Sequence, residues 1–194
     1  MNMLIRDLDL PARADIRQLL ERDLARIQRH QAEVLRIEPR VGFFTPSYLA
    51  VRLHRWSWFH FQHGRRTMAR LYWHLNLYLT GADIGPMSRL GEGLLLIHPS
   101  GILIFGNAGR NLTVYGHGGL GGGMSTRDIG AGPGLPVLGD NVTLAFRAMV
   151  LGPVSIGDGA LVGAGRCVVE DVGRGDVLES ARIRIRSNTV AAEH

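Results

Sequence analysis

Apolar positions follow two different periods along the chain. Between residues 14 and 79 they recur three and four positions apart, the spacing of amphipathic helices, with a break around Pro39, Gly42 and Pro46. From Ile84 onward an apolar residue recurs at every sixth position, a period that indicates a parallel β-helix. These positions are Ile84, Leu90, Leu96, Ile102, Ala108, Val114 and Leu120, then Leu138, Leu144, Val150, Ile156, Val162 and Val168.

The two periods predict an α+β protein with a helical N-terminal region followed by a parallel β-helix. We place the helical region at residues 1–81 and the β-helix at 82–173, with a Gly-rich loop inserted at about 121–136. Glycines that repeatedly follow the apolar position suit tight corners between short strands. Each strand would bury one side chain in a core that continues from coil to coil. The rest, 174–194, is predicted to be a basic tail that carries Arg182, Arg184 and Arg186.

The charge of the chain is unusual because all 22 basic residues are arginine. A net charge of +5 favours anionic partners, such as a phosphorylated cofactor or an acyl carrier protein, although a genomic preference for Arg codons accounts for it equally well. The arginines are dispersed, so we predict no nucleic-acid binding. An aromatic and basic stretch at 49–81 favours helix packing or an oligomer contact over a membrane surface.

Other features of the sequence point to a cytoplasmic protein. No apolar run is long enough to span a bilayer, and the N-terminal decapeptide lacks the pattern of a signal peptide. Cys167 is the only cysteine, which excludes an intrachain disulfide. We therefore expect a cytoplasmic location.

A histidine stands inside an apolar stretch at GLLLIHPSGILIFG, residues 93–106. A strand core normally excludes histidine, and a helix would not survive Pro99 and Gly101, so His98 is expected at a corner between strands. Asp83 precedes it by fifteen residues, just under one coil of three hexapeptides, which puts both near one edge of adjacent coils. A carboxylate that accepts the N–H of one imidazole nitrogen leaves the other nitrogen basic. The alternative is that His98 only fills a corner.

Several motifs resemble the serine O-acetyltransferase family over most of the chain. DIRQLLERDLAR resembles the family's helix with an E-R-D-P-A motif, with Leu24 in place of the proline; LTGADIGP resembles the start of the first coil, and LGPVSIGDGALVGAG the final coils. The resemblance implies a left-handed β-helix and a homotrimer, or a dimer of such trimers, with acetyl-CoA as acyl donor between neighbouring β-helices. It also implies His98 as general base, Asp83 as the carboxylate that orients it, and Asp23 as an acceptor ligand.

Two substrate-recognition motifs of that family are changed. Ile97 replaces the aspartate of the family's D-H pair, and residues 134–136, Gly-Leu-Pro, replace its R-H-P. These changes remove the partners of the serine ammonium and carboxylate groups, so we expect an acceptor other than free serine. His117, Arg127 and Asp128 are candidates for a replacement acceptor site, and the alternative is a flexible surface loop without function.

The donor side is also altered with respect to the family. Phe146 and Arg147 stand in its G-A-G-A segment, where they would narrow the groove beside the pantetheine arm. The rung FGNAGRN is two residues shorter in the family alignment, whereas an ungapped alignment keeps the six-residue period better. The candidate donor contacts are Gly121, Gly122, Ala145, Ala164 and, toward a phosphate, Arg166.

These observations predict an acyl-CoA-dependent O-acyltransferase of class EC 2.3.1, with direct attack of the acceptor hydroxyl on the thioester. Backbone N–H groups of the Gly-rich turns near 118–122 would hold the oxyanion. The alternative is a non-catalytic trimeric scaffold that partners another biosynthetic enzyme. A zinc site is a third reading, because His98 and His117 are nineteen residues apart, but the β-helix holds no third histidine and we predict no metal.

Overall fold

The computed structural model describes residues 10–180, in which three helices precede a stack of short strands. Pro46 occupies the first turn of the second helix, where its missing N–H costs no hydrogen bond. Gly81 caps the third helix, and its φ of 75° lets its N–H donate to the Leu77 carbonyl at 3.0 Å. The helices are α1 (Arg13–Glu33), α2 (Pro46–Gln62) and α3 (Arg66–Thr80).

The strands of the described chain are two or three residues long, because a corner follows each of them. In chain order they are β1 (Asp83–Ile84), β2 (Leu95–Ile97), β3 (Leu103–Ile104), β4 (Asn107–Ala108), β5 (Thr113–Tyr115), β6 (Gly119–Gly121), β7 (Val137–Leu138), β8 (Thr143–Leu144), β9 (Met149–Leu151), β10 (Ser155–Ile156), β11 (Leu161–Val162), β12 (Cys167–Val168) and β13 (Val177–Leu178).

The strands pair in parallel and form the three faces of a left-handed β-helix. Face A has the order β1-β3-β6-β9-β12, face B has β4-β7-β10, and face C has β2-β5-β8-β11-β13. One coil visits each face once. Segments 98–102, 116–118, 145–148 and 163–166 connect face C to face A, and we call this edge the C–A corner. The fold predicted from the six-residue period is therefore confirmed.

The core is a column of fully buried aliphatic side chains along the axis of the coils. On face C, Leu96, Val114, Leu144 and Val162 stack in register, each with at most 1% of its surface exposed. Removing one such side chain from water contributes about 1.5–3 kcal/mol. The apolar residues that recur at every sixth position of the sequence are therefore the side chains of this column.

The period is irregular at the corner that carries His98. Ile104, rather than Ile102, pairs in register with Ile84, so this corner holds two more residues than those above it. The next rung recovers the difference. Ala108, which pairs in register with Leu90 and Leu138, follows Ile104 by only four positions. The rung that ends at Ala108 is thus two residues shorter than a hexapeptide, as the alignment with a shorter FGNAGRN rung expects.

The coils continue beyond their predicted end. β13 pairs with β11, so the last coil extends to Leu178, five residues past the expected boundary at 173. Arg182, Arg184 and Arg186 lie outside the described residues. Between 10 and 180, no helix is long and apolar enough to cross a bilayer.

Candidate active site

His98 opens the lowest complete C–A corner, directly after β2. Its side chain is exposed, and its backbone has a φ of 54°, a left-handed conformation that is uncommon for a residue other than glycine. Pro99 is buried behind it, and a Cβ on Gly116 of the next coil would lie 2.8 Å from the His98 carbonyl oxygen. The tight stacking fixes the backbone of His98 and leaves its imidazole open to solvent.

Asp83 lies at the same edge, at the start of β1, but hydrogen-bonds to a different partner from the one expected. Its Oδ1 accepts a hydrogen bond from Nε1 of Trp73 on α3 at 2.7 Å. The Trp73 ring in turn packs edge-on against Phe105, with ring centroids 6.1 Å apart. Within residues 10–180 no hydrogen bond joins Asp83 to His98, so the expected carboxylate–imidazole bond is not formed in this structure. Oδ1 is held by the indole, whereas Oδ2 accepts no hydrogen bond within the described chain.

The next two coils add polar and aromatic groups to the C–A corner above His98. His117 is exposed with a φ of 57°, and its N–H donates to the Ser100 carbonyl at 3.2 Å. The Phe146 ring meets the His117 ring edge-on at 5.7 Å, and the Arg147 guanidinium lies 5.3 Å from the centre of the Phe146 ring. His117 thus shares one corner with His98, as an acceptor-binding role requires.

Asp23 is not available to an acceptor, contrary to expectation. Both of its oxygens accept hydrogen bonds from Arg55 of α2, at 2.9 and 3.0 Å, and Oδ1 also accepts the Leu94 N–H at 2.8 Å. Arg55 also donates to the carbonyls of Leu90 and Gly91. The pair is buried, with 0% of the Asp23 side chain exposed. It fastens α1 and α2 to the first coil, which is a structural role.

Arg127 and Asp128 are also engaged in structure rather than in the site. The Gly-rich loop connects face A to face B, so it lies at another corner from His98. Oδ1 of Asp128 accepts the N–H groups of Gly130 and Gly132, at 2.8 and 3.1 Å, and Arg127 donates to the Pro153 carbonyl at 2.9 Å. These bonds order the loop against its own coil. In the single chain both residues thus lie away from the His98 corner, and their binding of an acceptor stays a prediction.

The expected donor contacts divide between two corners. Ala145, Ala164 and Arg166 lie at the C–A corner, whereas Gly121 and Gly122 lie at the far end of the face A strand, where the Gly-rich loop begins. Arg166 donates through Nε to the Glu179 carbonyl at 2.5 Å. The three C–A residues follow one edge of the upper coils.

Two of the backbone donors proposed for an oxyanion are occupied. The Gly118 N–H donates to the Tyr115 carbonyl at 3.0 Å, and the Gly119 N–H donates to the Ala148 carbonyl at 2.8 Å. Gly119 has to be glycine, because a Cβ there would lie 1.8 Å from the Leu103 carbonyl oxygen. These glycines serve coil stacking, and an oxyanion would need other donors.

Sequence reasoning missed Trp73 and Arg55. Trp73 fixes one oxygen of Asp83, and Arg55 neutralises Asp23, yet both stand in helices whose aromatic and basic pattern looked like packing alone. The sequence shows that α2 and α3 directly precede the first coil. It does not show which of their side chains contact that coil.

Parallel rungs on three faces, with an exposed histidine at one corner, place the chain in the class of left-handed β-helix proteins. Serine acetyltransferases of Synechococcus elongatus and Mycobacterium tuberculosis are 34% and 35% identical to the chain over 161 and 165 residues, which is 82% of this chain in both cases. The crystal structure of the Neisseria gonorrhoeae serine acetyltransferase matches with a TM-score of 0.76 and 28% identity, covering 87% of this chain and 66% of that one. By sequence and by fold, the chain is a divergent relative of the serine acetyltransferases.

The relationship is partial in length. The chain spans 61% of the S. elongatus relative and 65% of the M. tuberculosis relative. No protein-family profile matches the chain.

Proposed function

We propose that the protein is an O-acyltransferase that moves an acetyl group from acetyl-CoA to a hydroxyl acceptor other than free serine. The observation that carries the proposal is the exposed imidazole of His98 at a rigid corner, in a chain related to acetyltransferases. A neutral imidazole is a suitable general base near pH 7. The absence of an acidic side chain at Ile97 supports an acceptor without a serine-type ammonium group.

In the proposed reaction, His98 takes the proton of the acceptor hydroxyl as its oxygen attacks the thioester carbonyl. The tetrahedral intermediate collapses, the C–S bond breaks, and the imidazolium returns the proton to the leaving CoA thiolate. The products are the acetyl ester and free CoA, so His98 ends in its starting protonation state. No covalent acyl-enzyme is needed.

Asp83 orients the imidazole in this proposal. Trp73 holds Oδ1, so the carboxylate is fixed in direction while Oδ2 remains available to the N–H of His98. Such a bond selects one imidazole tautomer and favours the imidazolium that forms during the reaction.

We place the donor between neighbouring β-helices of a homotrimer. Ala145 and Ala164 supply small residues along the C–A corner, and Arg166 stands where a phosphate could be bound. Phe146 is 47% exposed in the single chain, and Leu161 is 38% exposed, which suits burial by a second copy. An acyl carrier protein is the alternative donor.

A non-catalytic scaffold is the second candidate, and the occupied corner favours it. Phe146 and Arg147 fill the place of smaller residues, and the N–H groups of Gly118 and Gly119 are already bonded. A scaffold would keep the trimer without binding a thioester.

Calorimetric titration with acetyl-CoA and with CoA separates the two candidates. A Kd of about 100 μM or tighter supports the acyltransferase, since substrate constants of enzymes lie at about 1 μM–1 mM. An absence of binding to either compound at millimolar concentration contradicts it. Release of CoA thiol in the presence of L-serine should be slow, and rapid serine acetylation would contradict the assigned acceptor class.

A further inference from the structure

A polar groove lies between helix α1 and face C of the β-helix. Its volume is about 600 Å³, within the usual range for sites of small molecules. The helix wall carries Arg22, Arg26, Arg29 and His30, and the opposite wall carries hydroxyl and amide groups of successive coils. Those groups are Thr113, Tyr115, Thr143, Asn111 and Asn141. The groove is thus rich in hydrogen-bond donors, which include three guanidinium groups, and the carboxylates of Glu33 and Glu92 also line it.

The arginines of the groove have different partners. Arg26 donates to the Leu112 carbonyl at 3.0 Å and to Oγ1 of Thr113 at 2.7 Å, so it holds the helix against the coils. Arg22 pairs with Glu92 at the rim. Within residues 10–180, Arg29 has neither an ionic nor a hydrogen-bonding partner. Its five donors are therefore available to a ligand.

The charge of the groove favours an anion, because its three arginines outnumber the carboxylates of Glu33 and Glu92. Burial lowers the pKa of Arg26; Asp23 opposes this effect and the neighbouring charge of Arg29 adds to it. Burial, and then the charge of Arg26, also lower the pKa of His30, which keeps its ring neutral and still able to donate one hydrogen bond. An oxyanion between Arg29 and His30 would relieve the repulsion among the arginines.

The groove exists because α1 continues beyond Asp23. Residues 24–33 extend the helix by almost three turns along face C, and they carry Arg26, Arg29 and His30. Leu24 permits this extension, whereas a proline inside a helix would remove a hydrogen bond and kink it. The basic side chains of the helix wall therefore depend on the continuation of α1 through residues 24–33.

The floor of the groove leads to the C–A corner. Tyr115 lines the groove and pairs in register with Ile97, the residue before His98. From Leu95 in the groove to His98 the chain advances three residues, about 10 Å of extended strand. A ligand with its anionic group in the groove could therefore present a hydroxyl to His98 only if the two groups are well separated.

We propose that this groove binds the acceptor, and that the acceptor is a hydroxylated compound with an oxyanion group, either a carboxylate or a phosphate, bound by Arg29. The inference rests on the proposed acyl transfer, because it assigns the acceptor of that same site. It also gives a reason for the loss of the serine-binding motifs: the ligand's charge is recognised on α1 instead of beside His98.

The test is calorimetric binding of three matched probes whose terminal groups are separated by a six-carbon chain: 6-hydroxyhexyl phosphate, 6-hydroxyhexanoate and 1,6-hexanediol. The wild-type protein should bind at least one of the two anions and not 1,6-hexanediol, and the preferred anion identifies phosphate or carboxylate. R29A should weaken that binding about tenfold, as expected for the loss of charge-assisted hydrogen bonds. R17A is the matched control, because Arg17 is an exposed arginine of α1 outside the groove, and it should bind like wild type.

Three results would overturn the assignment. They are an absence of binding by either anion, an equal loss in R29A and R17A, and displacement of the bound anion by saturating CoA, which would assign the groove to the donor. Titration with acetyl-CoA in the same preparation tests the proposed function separately. Anion binding that depends on Arg29 without any acetyl-CoA binding would remove the acyl transfer and leave an anion site.

Discussion

Asp23 and Arg55 form a two-point ion pair that is almost fully buried between the helices and the first coil. The carboxylate receives a third hydrogen bond from the Leu94 N–H, and the guanidinium donates to two coil carbonyls. Every charged atom of the pair is thus compensated, the condition under which a buried pair is tolerated. The pair therefore fixes the position of α1 and α2 relative to the first coil of the β-helix.

Replacement of Asp23 should therefore destabilise the fold. D23N leaves the Arg55 charge buried without its counter-ion, and removal of one partner of a buried pair costs about 3–5 kcal/mol. Chemical denaturation measures the change in the free energy of unfolding. R22A is the control, because the Arg22–Glu92 pair is solvent-exposed and its loss should cost less than about 1 kcal/mol. Equal stability of D23N and wild type would contradict the structural role.

His98 should be essential for turnover and dispensable for folding. H98N keeps a residue that tolerates the left-handed φ of 54° but removes the basic imidazole, so kcat/KM should fall by about 10²–10⁴-fold. Thermal denaturation should show an unchanged Tm, because the side chain is exposed. H74N, at an exposed position on α3, should retain full activity. Unchanged turnover in H98N would exclude the assigned base.

The stacking of the coils could be predicted from the sequence, whereas the shape of the His98 corner could not be. Each inward position of a coil needs an apolar residue, so the six-residue spacing of apolar residues predicts which side chains form the core. At the corner, Ile102 and Ile104 are both apolar and both buried, and only strand pairing shows that Ile104 holds the register. The six-residue spacing in the sequence does not show the two extra residues of this corner, because the next rung is two residues shorter and restores the spacing.

Side-chain roles were predicted less well where they depend on a distant partner. The resemblance of the α1 motif assigned Asp23 to the acceptor, but Arg55, thirty-two residues later, occupies both of its oxygens. Arg127 and Asp128 were assigned by polarity alone, and both satisfy backbone groups nearby. His98 and His117 lie at one corner because coil geometry, rather than a particular contact, determines the position of residues about one coil apart.

Trp73 should act through Asp83 as a positioning residue. W73F removes the indole N–H that holds Oδ1, so the carboxylate can rotate away from His98, and kcat should fall about tenfold while the affinity for acetyl-CoA stays constant. Steady-state kinetics together with calorimetry give both quantities. W56F is the matched control, since Trp56 packs edge-on against Phe59 at 5.5 Å on α2, away from Asp83. A loss of donor affinity in W73F equal to the loss of kcat would contradict a positioning role.

His54 should make the stability of the protein depend on pH. It is fully buried on α2, neither ring nitrogen has a partner within the described chain, and burial, together with the charge of Arg55, lowers its pKa from 6.5 to about 3. Between pH 6.5 and about pH 3, the histidine is protonated in the unfolded chain but neutral in the folded chain. The free energy of unfolding is therefore highest above pH 6.5 and decreases as the pH falls toward 3. The contribution of this residue at pH 5 should be about 2 kcal/mol smaller than at pH 7, at 1.36 kcal/mol per pH unit.

The H54L variant tests this directly, because leucine fills the buried site without a titratable group. Denaturation at pH 7 and pH 5 should show a smaller difference between the two pH values in H54L than in wild type, by about 2 kcal/mol. H74Q, which removes an exposed histidine of α3, should keep the wild-type difference. The same pH dependence in H54L and wild type would mean that His54 is solvated in the folded protein and that its unpaired nitrogens find partners in water.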